Sequence, residues 1–192
     1  MLLGVAHASE AIEQAWPPFV LVAGLLVLGE LAGADGLFDA AASRLVRMPA
    51  GAPATLLACL GLVALVTALL NLDTAAVFLT PVLIAVARRR GIAERPFLYG
   101  CVFVANAASL YLPGSNLTNL LVLADRHRSG GAFLLEMLPA ALAATAITAA
   151  GLLLVHRRAL AASAPPAPAG PPVAVKAGAR RPGGGAQRLP YI

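Results

Sequence analysis

The sequence predicts an all-α membrane protein in which transmembrane helices accompany a re-entrant helical hairpin and a broken helix. Of its 192 residues, 59% are hydrophobic and 12% are charged, and the mean hydropathy is +0.82. Soluble domains carry about 25% charged residues, so this chain has too few charges to cover a soluble surface. Its apolar stretches are long enough to cross a bilayer, which takes about 20 helical residues. Two polar clusters interrupt these stretches and set the positions of the hairpin and the break.

The net charge of +5 is concentrated near the C-terminus. Beyond residue 160 the chain has no acids and four cations, Lys176, Arg180, Arg181 and Arg188. No aromatic residues are interleaved with these cations, which argues against a nucleic-acid partner. Both cysteines lie in apolar runs, so neither a disulfide framework nor a zinc site is predicted.

The first elements are a flank, a span and an amphipathic helix. Residues 1–16 are predicted to be an N-terminal flank of mixed polar and apolar residues. They are not a signal peptide, because they lack its basic start and apolar core. Residues 17–34 form the first predicted span, which is apolar except for Glu30 and opens on a pair of prolines, typical of a helix start. In residues 35–48 apolar side chains recur at helical spacing opposite charged ones, which predicts a helix lying in the membrane interface.

The apolar stretch at residues 52–87 is too long for one crossing and too short for two full ones. Arginines flank it on both sides, at Arg44, Arg47, Arg88, Arg89, Arg90 and Arg95. Because arginine and lysine collect on the cytoplasmic side, both ends are predicted to be cytoplasmic. We therefore expect a re-entrant hairpin that reaches part-way through the membrane. Its tip is the polar cluster Asn71, Leu72, Asp73 and Thr74.

The second half of the apolar region begins with a predicted span at residues 96–124 that is broken at Pro113 and Gly114. Proline removes a backbone donor, and lipid cannot satisfy the groups that such a break frees. A clean last span at residues 133–155 follows.

The transmembrane region as a whole is predicted to cover residues 17–158. With an outside N-terminus, only Arg126 and Arg128 among its flanking arginines lie outside. Residues 159–192 are rich in Pro, Gly, Ala and Arg and are predicted to be a disordered, cytoplasmic tail. The protein is therefore expected to be a multi-pass protein of the cell (plasma) membrane, with the lipid bilayer as its first partner.

Asp73 is the most informative single residue, because a charge in a span costs about 2.5–3.5 kcal/mol. Ionised, it would attract a cation that crosses the membrane; desolvated, its raised pKa would let it carry a proton. No other metal site is expected. The alternative is structural, with Asp73 as the N-cap of a returning helix that starts at Thr74. Both interpretations stay open at this point.

The second cluster follows the break and is rich in hydrogen-bonding groups. A broken helix exposes backbone carbonyls and helix N-termini that can bind ions or polar solutes. The candidate binding residues are Asn71, Asp73, Thr74, Ser109, Gly114, Ser115, Asn116, Thr118 and Asn119. Alternatively, the cluster is an extracellular loop between two short helices, and Ser109 bonds back to its own helix.

Catalysis is not indicated by any arrangement in the sequence. The three histidines lie at the flanks of spans, and no nucleophile with a base, paired carboxylates or phosphate loop is discernible. We therefore expect no enzyme activity and no cofactor.

Residues 69–81 resemble the first re-entrant hairpin of the ion transporter superfamily, closest to its arsenical pump membrane protein and citrate-transporter-like permease branch. Residues 105–119 resemble the unwound helix that pairs with that hairpin, and residues 38–47 resemble the family's interfacial helix. The resemblance implies one repeat of an inverted-repeat, elevator-type secondary transporter. It also implies a small ionic solute and a coupling cation as partners.

Among the activities of the superfamily, proton-coupled efflux of arsenite or antimonite is nearest to these motifs. Sodium-coupled citrate or dicarboxylate uptake belongs to more distant branches, whose hairpin tip usually reads Ser-Asn-Thr. Here Leu72, Asp73 and Thr74 depart from that tip. The resemblance thus favours a small inorganic anion or oxyacid, with a citrate or dicarboxylate carrier as the alternative.

Carriers of this family contain two repeats, whereas the resemblance covers only the N-terminal one. We therefore expect a truncated or frameshifted fragment, or a chain that associates with a separately encoded second repeat. An antiparallel homodimer would need weak charge bias, and the bias observed argues against it. A non-transporting assembly subunit or an inactive remnant is the alternative from another functional class.

Overall fold

The computed structural model describes residues 2–123 and 129–163, with side chains described from residue 16 onward except at residue 122. Its elements are α1 (Leu2–Ala34), α2 (Leu37–Arg47), α3 (Ala52–Leu69), α4 (Leu72–Arg89), α5 (Arg95–Ala108), a single 3₁₀ turn (Pro113–Ser115), α6 (Leu117–Leu123) and α7 (Gly130–Ala161). Every regular element in these residues is helical, so the predicted all-α class is confirmed. The predicted broken helix is also present, as the interruption between α5 and α6.

Within the described residues, three helices are long and apolar enough to cross a membrane: Trp16–Ala34, Ala52–Leu69 and Gly130–Ala161. Large apolar side chains on these helices are exposed. In the last of them, for example, 75% of the surface of Leu135 and 72% of the surface of Ile147 is exposed. A soluble protein would not leave so many large apolar groups uncovered. The prediction of a membrane protein is confirmed.

The first helix is longer than the sequence predicts. The apolar part of α1 starts at Trp16, but the helix itself starts at Leu2, so the two prolines lie inside it. Pro17 and Pro18 lack the N–H that donates a hydrogen bond at interior positions of a helix, and for this reason the sequence predicts a helix start there. The preceding residues are rich in alanine, glutamate and glutamine, and these strong helix formers carry the helix through.

The amphipathic helix α2 packs against the hairpin. It follows Gly36, whose φ of 79° lies in the left-handed region that glycine tolerates best. Phe38 is buried and its ring stacks on that of Phe78 in α4, with centroids 5.5 Å apart. The amphipathic helix is thus present, and its position at the membrane interface stays a prediction.

Helices α3 and α4 are the two arms of the hairpin, joined by Leu70 and Asn71, and α5 packs against both. The buried core between the three includes Leu56, Val63, Leu79, Leu83, Phe97 and Val104. Each arm has 18 residues and is about 27 Å long. A bilayer's hydrocarbon core is about 30 Å thick, so arm length does not separate a re-entrant hairpin from two crossings.

Arg90 closes the base of the hairpin and is buried, with 5% of its surface exposed. Its guanidinium donates hydrogen bonds to the carbonyl oxygens of Val46 (3.0 Å) and Met48 (2.5 Å), and also to that of Ala50. In the sequence Arg90 stands out only as one of several flanking charges. In the structure these contacts, here called the Arg90 clamp, attach the α2–α3 connection to the end of α4.

The last helix extends beyond its predicted end. Residues 159–161, assigned to the disordered tail, belong to α7, because Ala-Leu-Ala continues the helix past the arginines. The rest of the predicted tail, residues 164–192, lies outside the described residues. Arg126 and Arg128, the two arginines that are predicted to lie on the outer side of the membrane, are also outside the described residues.

The contact between α1 and α4 yields a first prediction. A Cβ at Gly29 would lie 2.5 Å from the Thr74 methyl group and 2.9 Å from the Phe78 ring, whereas one at Gly24 would meet nothing within 4 Å. Gly29→Ala should therefore lower the apparent melting temperature in detergent. Gly24→Ala, its matched control, should raise or preserve it, because alanine favours a helix by about 1 kcal/mol over glycine. Equal effects of the two substitutions would disprove the close packing of α1 on α4.

The Arg90 clamp yields a second prediction. Arg90→Met should destabilise the protein by about 2–4 kcal/mol, since it leaves three carbonyl groups without their charged donor. Arg47→Gln changes an exposed arginine at the same end and should be nearly neutral. The measurement is denaturant unfolding in mixed micelles. A loss no larger than that of the control would refute the clamp.

Candidate functional site

The hairpin tip and the helix break lie at the same level of the molecule. Helices α4 and α5 run antiparallel, and Cys101 sets their register, with its Sγ 3.5 Å from the Thr80 hydroxyl and 3.9 Å from the Ala75 carbonyl oxygen. From Cys101, α5 rises about 10 Å to its end at Ala108. Over a similar distance, α4 runs back from this contact to Asn71. The 3₁₀ turn packs against α3, so the break also meets the first arm of the hairpin.

Asn71 is the N-cap of α4. Its Oδ1 accepts a hydrogen bond of 2.6 Å from the backbone N–H of Thr74, and 1% of its surface is exposed. The alternative in which Asp73 caps this helix is therefore wrong. The chain already turns at Asn71, which places Asp73 inside the first helical turn, with its side chain exposed. An acid in that turn interacts favourably with the helix dipole.

Three buried polar atoms at the hairpin tip have no hydrogen-bond partner among the described residues: Thr67 Oγ1, Asn71 Nδ2 and Thr74 Oγ1. Buried polar groups in proteins are normally hydrogen-bonded, so three within eight residues of sequence mark an unusual place. The amide nitrogen is a donor, and each hydroxyl can donate or accept. The remaining such atom, Asp39 Oδ1, belongs to α2.

Thr67 is a candidate that the sequence analysis missed. It lies in the last turn of α3, four residues before Asn71, and is fully buried. Threonine is unremarkable in an apolar span because its hydroxyl usually bonds back to its own helix. The spacing of one helical turn from Asn71 was the only signal in the sequence.

At the break, the polar side chains bind one another and the freed backbone. Ser109 Oγ donates to the Asn106 carbonyl (2.8 Å), as expected for a serine that bonds back to its helix, and accepts from Asn116 Nδ2 (3.3 Å). Asn119 Nδ2 donates to the carbonyl oxygens of Ser109 (2.8 Å) and Leu112 (3.4 Å). These bonds satisfy backbone carbonyl groups between α5 and the 3₁₀ turn, for which lipid would provide no hydrogen-bond donor.

The remaining predicted residues of the break differ in their surroundings. Ser115 is buried, and its hydroxyl donates to the Leu112 carbonyl (2.6 Å) while accepting from the Leu112 N–H (3.0 Å). Gly114 is half-buried beside Leu21 of α1. Thr118 is exposed, and its N–H donates to Asn116 Oδ1 (2.9 Å). The structure thus joins Ser109, Asn116 and Asn119 in one network, whereas three of the four buried atoms without a partner among the described residues are at the hairpin tip.

Charge is distributed unevenly between the two ends of the molecule. The arginines of the described residues lie at the end away from the tip: Arg44, Arg47, Arg88, Arg89, Arg90, Arg95, Arg157 and Arg158. The Arg90 clamp and the stacking of His156 on Tyr99 bring the ends of α2, α4 and α7 and the start of α5 together there. Within the tip segment, residues 67–74, the only ionisable side chain is that of Asp73. The tip can therefore offer neutral donors and acceptors beside one carboxylate.

Comparison with known proteins identifies relatives of this chain. The citrate transporter family model matches residues 1–180. The arsenical pump membrane protein of Yersinia enterocolitica is 32% identical over 166 residues, which are 82% of this chain and 38% of that protein. An uncharacterized transporter of Mycobacterium tuberculosis is 29% identical over 128 residues, which are 66% of this chain and 30% of that protein.

The chain therefore spans well under half the length of the curated relatives it matches. None of the solved structures matches it. The resemblance that residues 69–81 and 105–119 carry is confirmed by these relatives. Because the family match covers nearly the whole chain, including the hairpin and the broken helix, the chain belongs to the citrate transporter family.

Proposed function

We propose that the chain supplies part of the solute-binding site of a membrane secondary carrier, built from the hairpin tip and the helix break. The observation that carries this proposal is the group of buried, unpartnered polar atoms at Thr67, Asn71 and Thr74. An uncompensated polar group in an apolar interior costs stability. A polar solute that hydrogen-bonds to the tip removes that cost for as long as it is bound.

The chemistry of the tip favours a small oxyacid of low charge, such as arsenite. Such a solute carries hydroxyl groups that can donate to the threonine oxygens and accept from Asn71 Nδ2. The relative from Yersinia enterocolitica, an arsenical pump membrane protein, points to the same class. The other predicted residues, Ser109, Gly114, Ser115, Asn116, Thr118 and Asn119, would then shape the opposite wall.

A citrate or dicarboxylate carrier is the second candidate, favoured by the citrate transporter family model. A buried anion with several charges needs positive partners, because its desolvation is costly. The arginines of the described residues lie at the other end of the molecule, so such a site would depend on cations from elsewhere. The tip as it stands fits the oxyacid better.

Asp73 is the proposed coupling residue. Its carboxylate is exposed beside the tip and has no ion-pair partner in the described part of the chain. A second repeat, or less readily a second copy of the chain, would cover this surface and enclose the carboxylate with a cation or proton. The arginines gathered at the opposite end support a cytoplasmic position for that end and for the C-terminal tail, in the cell membrane.

The threonines allow a test that separates binding from folding. Thr67→Val and Thr74→Val remove hydroxyls that bond to nothing in the described part of the protein, so stability should be kept. Each loses one hydrogen bond to the solute, worth about 1 kcal/mol, and should raise the KM for arsenite about fivefold. Transport is measured in everted membrane vesicles from cells that carry the chain with its neighbouring genes.

Thr55→Val is the matched control. Thr55 is equally buried at the other end of α3, and its hydroxyl bonds to the Gly51 carbonyl (3.1 Å). This change should leave the KM unaltered. Arsenite kinetics that respond equally to all three substitutions, or to none, would contradict the proposed site. No transport by the unaltered system would favour a non-transporting membrane subunit.

The coupling role of Asp73 is tested by Asp73→Asn. This change should abolish the dependence of arsenite transport on the proton or sodium gradient, because the amide can neither take up a proton nor attract a cation as strongly. Asp35→Asn removes another exposed acid, between α1 and α2, and should preserve gradient dependence. Both variants are assayed in vesicles with imposed gradients. Unchanged gradient dependence in Asp73→Asn would remove Asp73 from the mechanism.

A further inference from the structure

A groove of about 370 Å³ lies between α5 and α7, at the end of the molecule that carries the arginines. Its walls include Tyr99 and Phe103 from α5 and Thr148, Gly151, Val155 and His156 from α7. The proposed transport function does not use any of these side chains. The groove is open to the surroundings, since Tyr99 and Phe103 are each about half exposed and Val155 is 77% exposed.

The groove is apolar and elongated along α7. The ring of Tyr99 stacks on Phe103 and on His156, with centroid distances of 6.1 and 5.9 Å, which forms one continuous aromatic wall. Along α7 the lining extends from Thr148 to His156, about 12 Å. Gly151 leaves the opposite wall open, since a Cβ there would meet nothing within 4 Å. This shape suits a single flexible hydrocarbon chain.

Positive charge borders one end of the groove on both helices. Arg95 lies four residues before Tyr99, on the same face of α5, and Arg158 lies three residues after Val155, on the same face of α7. Both arginines are exposed. The neighbouring acid, Glu94, is paired with Arg88 at 2.7 Å, which leaves Arg95 and Arg158 without an acidic partner in the described residues.

We propose that this groove binds an anionic phospholipid, with an acyl chain along the aromatic wall and the phosphate between Arg95 and Arg158. Tyrosine is typical of the membrane–water boundary, and arginines there attract anionic headgroups. The His156 ring stands at the same end and can donate a hydrogen bond to a phosphate oxygen. The site thus joins an apolar slot to a cationic mouth, which is the chemistry of one lipid molecule.

A helix of another protein chain fits the groove less well. A helix with its side chains is about 10 Å across, much wider than the single file of methylene groups in an acyl chain. It would lie across the two helices without filling the space between them. It would also bring no negative charge to Arg95 and Arg158 unless acids happened to face them.

Native mass spectrometry of the full chain in detergent tests the proposal, with phosphatidylglycerol and phosphatidylcholine as probes. The unaltered chain should retain phosphatidylglycerol in preference. The double substitution Arg95→Gln and Arg158→Gln should weaken that binding about 25-fold, at about fivefold for each arginine. The matched control, Arg44→Gln with Arg47→Gln, alters two exposed arginines of α2 and should change nothing.

A second variant tests the apolar slot. Gly151→Phe places a ring in the groove from a position where a Cβ meets nothing within 4 Å, and it should reduce retention of both lipids. Helical circular dichroism and gel filtration show whether each variant keeps the fold. Equal retention of the two lipids, or retention that neither set of substitutions alters, would overturn the proposal. So would a photoreactive side chain at position 103 that captures a protein chain and no lipid.

Discussion

The rest of the structure depends on one constraint: lipid offers no hydrogen bonds, so each interruption of a helix needs a polar group from the protein itself. At the turn between α3 and α4, Asn71 caps the returning helix. At the end of α5, Asn119 binds two freed carbonyls. At the α2–α3 connection, Arg90 binds three more. In this apolar sequence the first role of these polar residues is therefore to hydrogen-bond the backbone where one helix ends and the next begins.

The two polar clusters meet this constraint in different ways, and the difference bears on function. At the break, Ser109, Ser115 and Asn119 are occupied by neighbouring backbone, which makes that wall rigid and well defined. At the hairpin tip, Asn71 uses the oxygen of its amide to cap α4, and the amide nitrogen has no partner in the part of the chain that the structure describes. A site that binds a solute reversibly needs both properties, namely a fixed frame and groups with unused bonding capacity.

Sequence patterns predicted the class, the hairpin and the break because these depend on local composition and on proline, glycine and asparagine chemistry. The predicted hairpin at 52–87 corresponds to two helices that end at Leu69 and Arg89. Burial was not predictable, because it depends on which helices meet. Arg90 looked like its two neighbours yet is buried, and Thr67 looked like an ordinary span residue yet has an unpartnered hydroxyl. Asp73 is exposed because Asn71 already makes the turn.

The Arg90 clamp also has a consequence for the order of events during synthesis. The carbonyl groups that Arg90 binds lie 40 to 44 residues earlier in the chain. At about 5–20 residues per second, the ribosome makes them some 2–9 seconds before the arginine exists. During that interval the carbonyl groups of the α2–α3 connection lack the guanidinium that binds them in the folded protein. The connection thus acquires its final hydrogen bonds only after both arms of the hairpin have been made.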